Sequence, residues 1–443
     1  MPRTNSAVGN VTEVTDAVTS TSAARATADS PVTVRLDTGL VARLDTRDPR
    51  YGAWRSVLDD LRAAGLPVYV EVEPGSGLLT ELLVPLLVTV EDIRDPGPDG
   101  AAVEIELRIS HARHFLPRDD PLFDELLSLL SRAHTNGLPV LVTESPTTHE
   151  IIDVRLLPKA APPAERRSAP EPPADVTTAA VTLGQAQAMF ALVNGQTCCS
   201  AAPSAPGIPF TYPDDGCWAR AHEMCRLMIN AGAQPEKIWI YGALRVATGN
   251  HPACEVGWRW HVAPVLRVDD GAGPQVYVVD PALFPGPVSQ ATWTGVQGDP
   301  GAFTALSTAD VFYRDASGVP TYDPTYADTN QTLVRYRGAL QVRSASVDGP
   351  PPYPQCLTRP AGVQWFGTLE PGVSRRWFTF GWPAAWHVVW SVMPLTICAG
   401  APQVSWTVGV ERADADHVTY WITVRNLSPR TVRFEGRYDI LSR

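Results

Sequence analysis

A cysteine, a histidine and an aspartate, in that order along the chain, lie in local sequences that suit the three working parts of a thiol hydrolase. The cysteine falls in YPDDGCWARAHEMCRLMINAG, which begins at Tyr212. From there Cys217, Ala221, Met224 and Met228 recur at the spacing of one buried helical face, and Gly232 suits a stop. Asp214 or Asp215 can cap the start. A cysteine in the first turn of a helix meets free backbone N–H groups and the positive end of the helix dipole, both of which favour the thiolate. The same N–H groups, with Gly216 permitting a close approach, can hold the oxyanion formed when sulfur attacks an amide carbon. Taken alone, the segment is better read as a buried structural cysteine, because such cysteines are common.

The histidine and aspartate fall in two strand-like runs, GWRWHVAPVLRV ending at Val268 and PQVYVVDPALF beginning at Pro274. A hairpin turn centred on Asp270 and Gly271 sets His261 directly across from Asp280, close enough for a carboxylate to hold an imidazole. A register one residue different puts the two on opposite faces. Pro264 implies an edge or a bulge. His222 lies five residues past Cys217, about 140° around the helix, and reads as structural.

The elements that must position these residues belong to a chain too long for one core, so two or three domains are expected from its 443 residues. Residues 1–31 read as a Ser/Thr/Ala-rich disordered leader, without the apolar stretch of a secretory signal. Residues 32–158 read as an α/β domain of two related halves. The run DPRYGAWRSVLDDLRAAGLPVYV from Asp48 aligns without gaps on DPLFDELLSLLSRAHTNGLPVLV from Asp120, each a strand-helix-strand unit. Nothing in it resembles a catalytic constellation. Residues 159–180 form a Pro/Ala-rich linker separating two folding units. Residues 181–345 hold the cysteine, histidine and aspartate, and 350–443 read as a β-sandwich. The fold class is therefore α+β.

A net charge of −11 excludes a phosphate-binding footprint, so nucleic acid is not an expected partner. No run is long and apolar enough for a membrane helix. Seven cysteines leave at least one unpaired, and their spacing carries no zinc signature. No cofactor or metal is expected. Cys356 and Cys398 are a candidate disulfide in an oxidising compartment. Seven of the thirteen tryptophans lie in the last region, among them Trp382, Trp386 and Trp390, and read as sandwich core rather than a binding platform.

The motifs DGCWARAHEM, WIYGALRVATG, WRWHVA and VVDPALFPGPV, spread from about Ala188 to Tyr313, make this region similar to the bacterial protein-glutaminases. The resemblance implies a papain- and transglutaminase-like catalytic fold, with Cys217 as nucleophile, His261 as general base and Asp280 orienting the imidazole. It places Gly216, Trp218 and Trp260 at the substrate, the two tryptophans where the family usually has tyrosine. The implied reaction hydrolyses the side-chain amide of protein-bound glutamine through a thioester. The duplicated region resembles the family's pro-segment, so residues before about Asp175 are expected to mask the cleft until a cut near Arg166 and Arg167 frees it. Expected partners are proteins or peptides bearing glutamine. The alternatives are a transglutaminase or cysteine peptidase of related fold, or an inactive scaffold. Without a visible signal, localisation is cytoplasmic or by a non-classical export route.

Overall fold

A computed structural model describes residues 5–15, 31–97, 100–157, 180–199, 207–269, 271, 273–357 and 361–442. The expected linker lies almost wholly outside them. The chain divides into two compact units, Met1–Cys356 and Leu357–Arg443. Within the described residues the architecture is α+β: six helices and several antiparallel sheets.

The duplication read from the two Asp-Pro segments is a duplication of topology. The first half contains β1 (Ser6–Thr15), β2 (Val32–Leu36), β3 (Val41–Leu44), α1 (Tyr51–Ala64), β4 (Pro67–Val72) and β5 (Leu79–Leu83), in sheet order β3-β2-β1-β4-β5. The second contains β6 (Leu86–Arg94), β7 (Ala102–Leu107), β8 (His114–Pro117), α2 (Phe123–Asn136), β9 (Pro139–Glu144) and β10 (Ile151–Leu156), in the same order, β8-β7-β6-β9-β10. Each half is thus three strands, a helix and two strands, longer than the strand-helix-strand unit expected. Ser6–Thr15, expected within an unstructured leader, pairs with both β2 and β4. Its Val11 and Val14 are buried there, and burial of β-branched side chains outweighs the polar composition around them. Gly65 and Gly137 end α1 and α2 in the left-handed region.

The region expected at 181–345 follows with α3 (Leu183–Asn194), α4 (Cys217–Asn230), β11 (Glu236–Ala247), β12 (Glu255–Asp269), β13 (Pro274–Val278), β14 (Val288–Ser289), α5 (Gln290–Gly295), β15 (Phe303–Thr308), β16 (Val311–Arg314), β17 (Pro320–Tyr322) and α6 (Ala327–Ser344). Its main sheet runs β14-β13-β12-β11-β15, and α4 packs on β12. A proline-rich stretch was expected to divide two folding units here. Instead one hydrophobic core takes in Val103, Leu116 and Leu130 of the duplicated region together with Trp218, Met224 and Trp260. The reason is that the second half and the α4–β12 layer each present an apolar face that the other covers.

Two cysteine pairs are closed, Cys198 with Cys199 and Cys254 with Cys356. The candidate Cys356–Cys398 bridge is therefore not formed. Tyr353 N–H donates to the Gly249 carbonyl, which brings Cys356 to the 251–254 loop, while Cys398 stays free in the other unit. That second unit has two three-stranded sheets, β18 (Ala361–Leu369) with β23 (Val432–Ser442) and β20 (His387–Pro394), and β19 (Ser374–Pro383) with β22 (His417–Asn426) and β21 (Val404–Arg412). Trp390 is buried in their shared core, and Trp365, Trp377 and Trp382 pack against it, whereas Trp406 is exposed. No helix among the described residues is long and apolar enough to cross a membrane.

Candidate active site

Cys217 is the first residue of α4, and its neighbour Gly216 supplies the turn into the helix. Gly216 has φ +82°, and a Cβ there would meet the Tyr336 ring at 2.5 Å, so both backbone and space require glycine. Neither Asp214 nor Asp215 caps the helix, contrary to expectation. Both are buried and turned to other tasks. Asp214 forms an ion pair with Arg343 at 2.8 Å and lies 3.2 Å from His251 and 3.6 Å from His149. Asp215 accepts from the hydroxyls of Ser110, at 2.7 Å, and Tyr336. The fully buried Arg220 braces this turn by donating to the carbonyls of Tyr212 and Asp215.

His261 sits on β12 and Asp280 just beyond β13, and His261 Nε2 lies 2.9 Å from Asp280 Oδ2. The hairpin that brings them together is not the one expected. Val265 pairs with Val278 and Asp269 with Pro274, so the strands slip by two residues relative to a turn centred on Asp270 and Gly271, and Asp270 itself lies outside the described residues. A slip of two preserves the face, which leaves Asp280 diagonal to His261 rather than across from it, still within reach. Pro264 lies on a central strand. Its carbonyl accepts from Val279 N–H just past the end of β13, so the N–H it lacks would point to a flank where that strand has stopped.

Two indoles clamp the imidazole. Trp258 stacks on His261 with centroids 4.5 Å apart, Trp293 stacks at 5.6 Å, and Trp293 Nε1 donates to the same Asp280 oxygen at 2.9 Å. Burial opposes charge on Asp280, yet the His261 and Trp293 contacts more than offset it and hold the carboxyl below its ordinary range. His261 Nδ1 has no hydrogen-bond partner and is buried. Cys217 Sγ and a ring nitrogen of His261 lie within 4.8 Å of each other. The thiol is 1% exposed, and that burial pushes its pKa well above the usual range, against the thiolate-favouring helix position.

The third residue against them was not foreseen. His111, from the Arg108–Arg113 connection between β7 and β8, puts a ring nitrogen within 4.8 Å of both Cys217 and His261. It stacks on His261 at 5.8 Å and touches Trp218 and Trp260. Backbone pairing holds it there. Arg259 N–H donates to the His111 carbonyl at 3.0 Å, Ala112 bridges antiparallel to Trp258, and His111 N–H donates to Asp215 at 3.0 Å. Ile109, a β-branched residue, takes φ +76° at the entry to this turn. Trp218 and Trp260, expected at the substrate, pack on each other and on His111. His222 accepts from the buried Lys237 ammonium at 2.8 Å, a position apart from the cluster.

The sequence signal for this segment was faint. Ser110-His111-Ala112-Arg113-His114 carries two of the chain's nine histidines, and five of the nine (His111, His114, His149, His251 and His261) gather around the Cys217 turn or its supports. No local periodicity marks such a cluster.

A solved structure titled protein-glutaminase shares 31% identity with this chain, covering 34% of it and 85% of the other, with a TM-score of 0.32. The chain belongs to the protein-glutaminase family. A family model described as Glutaminase matches residues 186–297, a stretch that holds Cys217, His261 and Asp280. The protein-glutaminase from Chryseobacterium proteolyticum is similar at 32% identity over 34% of this chain and 84% of that one, TM-score 0.32. A mutant of pro-protein-glutaminase is similar at 25% identity over 61% of this chain and 96% of that one, TM-score 0.42. No curated protein matches.

Proposed function

We propose that this protein-glutaminase family member hydrolyses the side-chain amide of protein-bound glutamine, and that the uncut chain is its latent form. The observation that carries the first part is an imidazole held through Nε2 by Asp280, its Nδ1 left bare beside a cysteine at a helix start. Residues 181–345 act as the papain- and transglutaminase-like catalytic domain in this reading.

His261 Nδ1 takes the Cys217 proton, and the thiolate adds to the amide carbon of glutamine. Backbone N–H groups at the start of α4 meet the oxyanion. The imidazolium is held by the Asp280 carboxylate and the faces of Trp258 and Trp293. It returns its proton to the departing nitrogen, so the C–N bond breaks, ammonia leaves and a thioester remains. Water then loses a proton to His261 Nδ1 and attacks the thioester. Collapse expels Cys217, which regains the proton, and glutamate is released.

Latency is supported by His111 and its backbone pairing to Trp258 and Arg259. The segment fills the space before the cysteine, excludes water and keeps the thiol neutral. Glu144, His149, Asp214, His251 and Arg343 form a buried ionic clasp behind it. Cutting in the Pro/Ala-rich linker, near Arg166 and Arg167, allows residues before about Asp175 to leave. Gly216, Trp218 and Trp260 then border the vacated channel as substrate contacts.

The test is ammonia release from casein by uncut chain, linker-cut chain and cut Cys217→Ala. Activity confined to the cut wild type is expected. Activity that survives the substitution removes Cys217 from the reaction, and equal activity before and after the cut removes latency. Covalent joining of glutamine to lysine in place of ammonia-yielding hydrolysis would make the protein a transglutaminase.

A further inference from the structure

The cluster of Cys217, His261 and His111 holds more bare lone pairs than it has hydrogens to satisfy. His111 Nδ1 lies 3.1 Å from the Trp260 carbonyl oxygen, which can only accept, so Nδ1 carries the ring hydrogen and Nε2 is a lone pair. His261 Nε2 faces the Asp280 carboxylate, so its hydrogen is there and Nδ1 is the second lone pair. Neither His111 Nε2 nor His261 Nδ1 makes a hydrogen bond, both are buried, and burial keeps the His111 ring neutral. One thiol hydrogen can serve only one of them. A buried acceptor left unpaired is destabilising, so the arrangement as it stands is incomplete.

A divalent cation completes it. Metal-bound histidines characteristically give their other nitrogen to a carboxylate or a backbone carbonyl, and the two rings do so, one to Asp280 and one to Trp260. Cys217 Sγ and one ring nitrogen from each of the two histidines lie within 4.8 Å of one another. Tetrahedral zinc, with Zn–S about 2.3 Å and Zn–N about 2.0–2.1 Å, sets such atoms roughly 3.3–3.6 Å apart, so side-chain shifts of about 1 Å close the site. A thiolate with two imidazoles is a donor set suited to zinc rather than magnesium or calcium. Asp215 Oδ1, 3.4 Å from His111 Nε2, adds negative charge at the centre.

We propose that the latent chain binds one zinc ion through Cys217, His261 and His111, a clasp that joins the masking segment to the nucleophile. The proposal rests on the masking reading above, since His111 must remain in the site. Binding replaces the thiol hydrogen by the metal and releases one proton to solvent; no electron moves. The bound sulfur can neither attack an amide nor be readily oxidised. Removal of the segment takes away one of three protein ligands, and the metal leaves with it or is lost to solvent.

The experiment uses the full uncut chain, stripped with a chelator and titrated with zinc against a chromophoric competitor. One zinc per chain is expected. Cys217→Ala and His111→Gln are each expected to weaken binding about 100-fold or more, a ligand being worth at least what its supporting groups are. Cobalt in place of zinc should give a sulfur-to-metal charge-transfer band in the wild type, a readout that needs no variant to fold, and cutting the linker should abolish it. No cobalt–sulfur band in the uncut chain, or zinc affinity unchanged by His111→Gln, overturns the clasp. Ammonia release by the metal-free chain separates the two ideas. If the metal-free chain is latent but binds no zinc, only the metal proposal falls; if it is as active uncut as cut, the masking reading falls and takes the clasp with it.

Discussion

Ser110→Ala tests the proposed masking by the 108–113 segment without touching Cys217, His261 or Asp280. The Ser110 hydroxyl donates to the buried Asp215 carboxylate at 2.7 Å, and the same oxygen lies 2.8 Å from His114 Nε2. A hydrogen bond to a charged group contributes about 1.5–3 kcal/mol net. Removing it weakens the closed state and leaves the open state, in which Ser110 meets water, unchanged. At 1.4 kcal/mol per tenfold, the open fraction rises roughly 10- to 150-fold. The residual ammonia release of the uncut chain should rise by that factor, limited by the rate of the cut enzyme, while the cut enzymes of variant and wild type stay equal. Residual activity that does not move, in a variant that still melts cooperatively, refutes the idea that this segment holds the site closed.

In the cut enzyme, Asp280→Asn should lower kcat about 10³–10⁴-fold with little change in KM, because an amide no longer fixes the hydrogen on His261 Nε2; a loss below tenfold would mean the carboxylate does not orient the ring. Gly216→Ala, with φ +82° and a contact at 2.5 Å to Tyr336, should cost more than about 2 kcal/mol and lower the thermal midpoint, and an unchanged midpoint would contradict the tight turn. The clasp behind His111 should make the uncut chain most stable at about pH 6 to 7. Burial resists charge on Glu144 and Asp214, but their histidine and Arg343 partners hold both below the ordinary 4.5 and 3.8, so their contribution exists above those values and is lost as acid protonates them. His251, lowered from 6.5 chiefly by burial, adds an acid-side loss beginning below that pH. Burial also disfavours charged His149, yet Glu144 and Asp214 raise it to about 10, so its contribution is complete below 6.5 and fades as pH climbs toward 10. A thermal midpoint still climbing at pH 9 would contradict this.

The parts of the site that depend on local pattern were legible: the helix after Gly216 and the strand bearing His261 form as the spacing predicts, whereas Asp280, expected directly across on the next strand, lies just beyond its end. The duplication was legible too, because the repeated Asp-Pro start and Gly-Leu-Pro-Val end mark both helices and the strands after them. Register was not. A four-residue connection replaced the two-residue turn, and Asp280 kept its face only because the slip was an even number of residues. The roles of Asp214 and Asp215 were hidden because a buried ionic network outranks a helix cap, and that network recruits His149, His251 and Arg343 from distant elements. His111 was hidden for the same reason: the contacts that aim it at Cys217 join residues more than a hundred positions apart, which no window along the chain can display.

Reaction in water enriched in oxygen-18 tests the central chemistry most directly. The cut enzyme is incubated with a glutamine-bearing peptide, and the peptide is weighed by mass spectrometry. A thioester opened by water places one heavy oxygen in the side-chain carboxylate of each new glutamate, and the cut Cys217→Ala chain produces none. Glutamate that forms in the variant at the wild-type rate would show that the reaction does not pass through this sulfur.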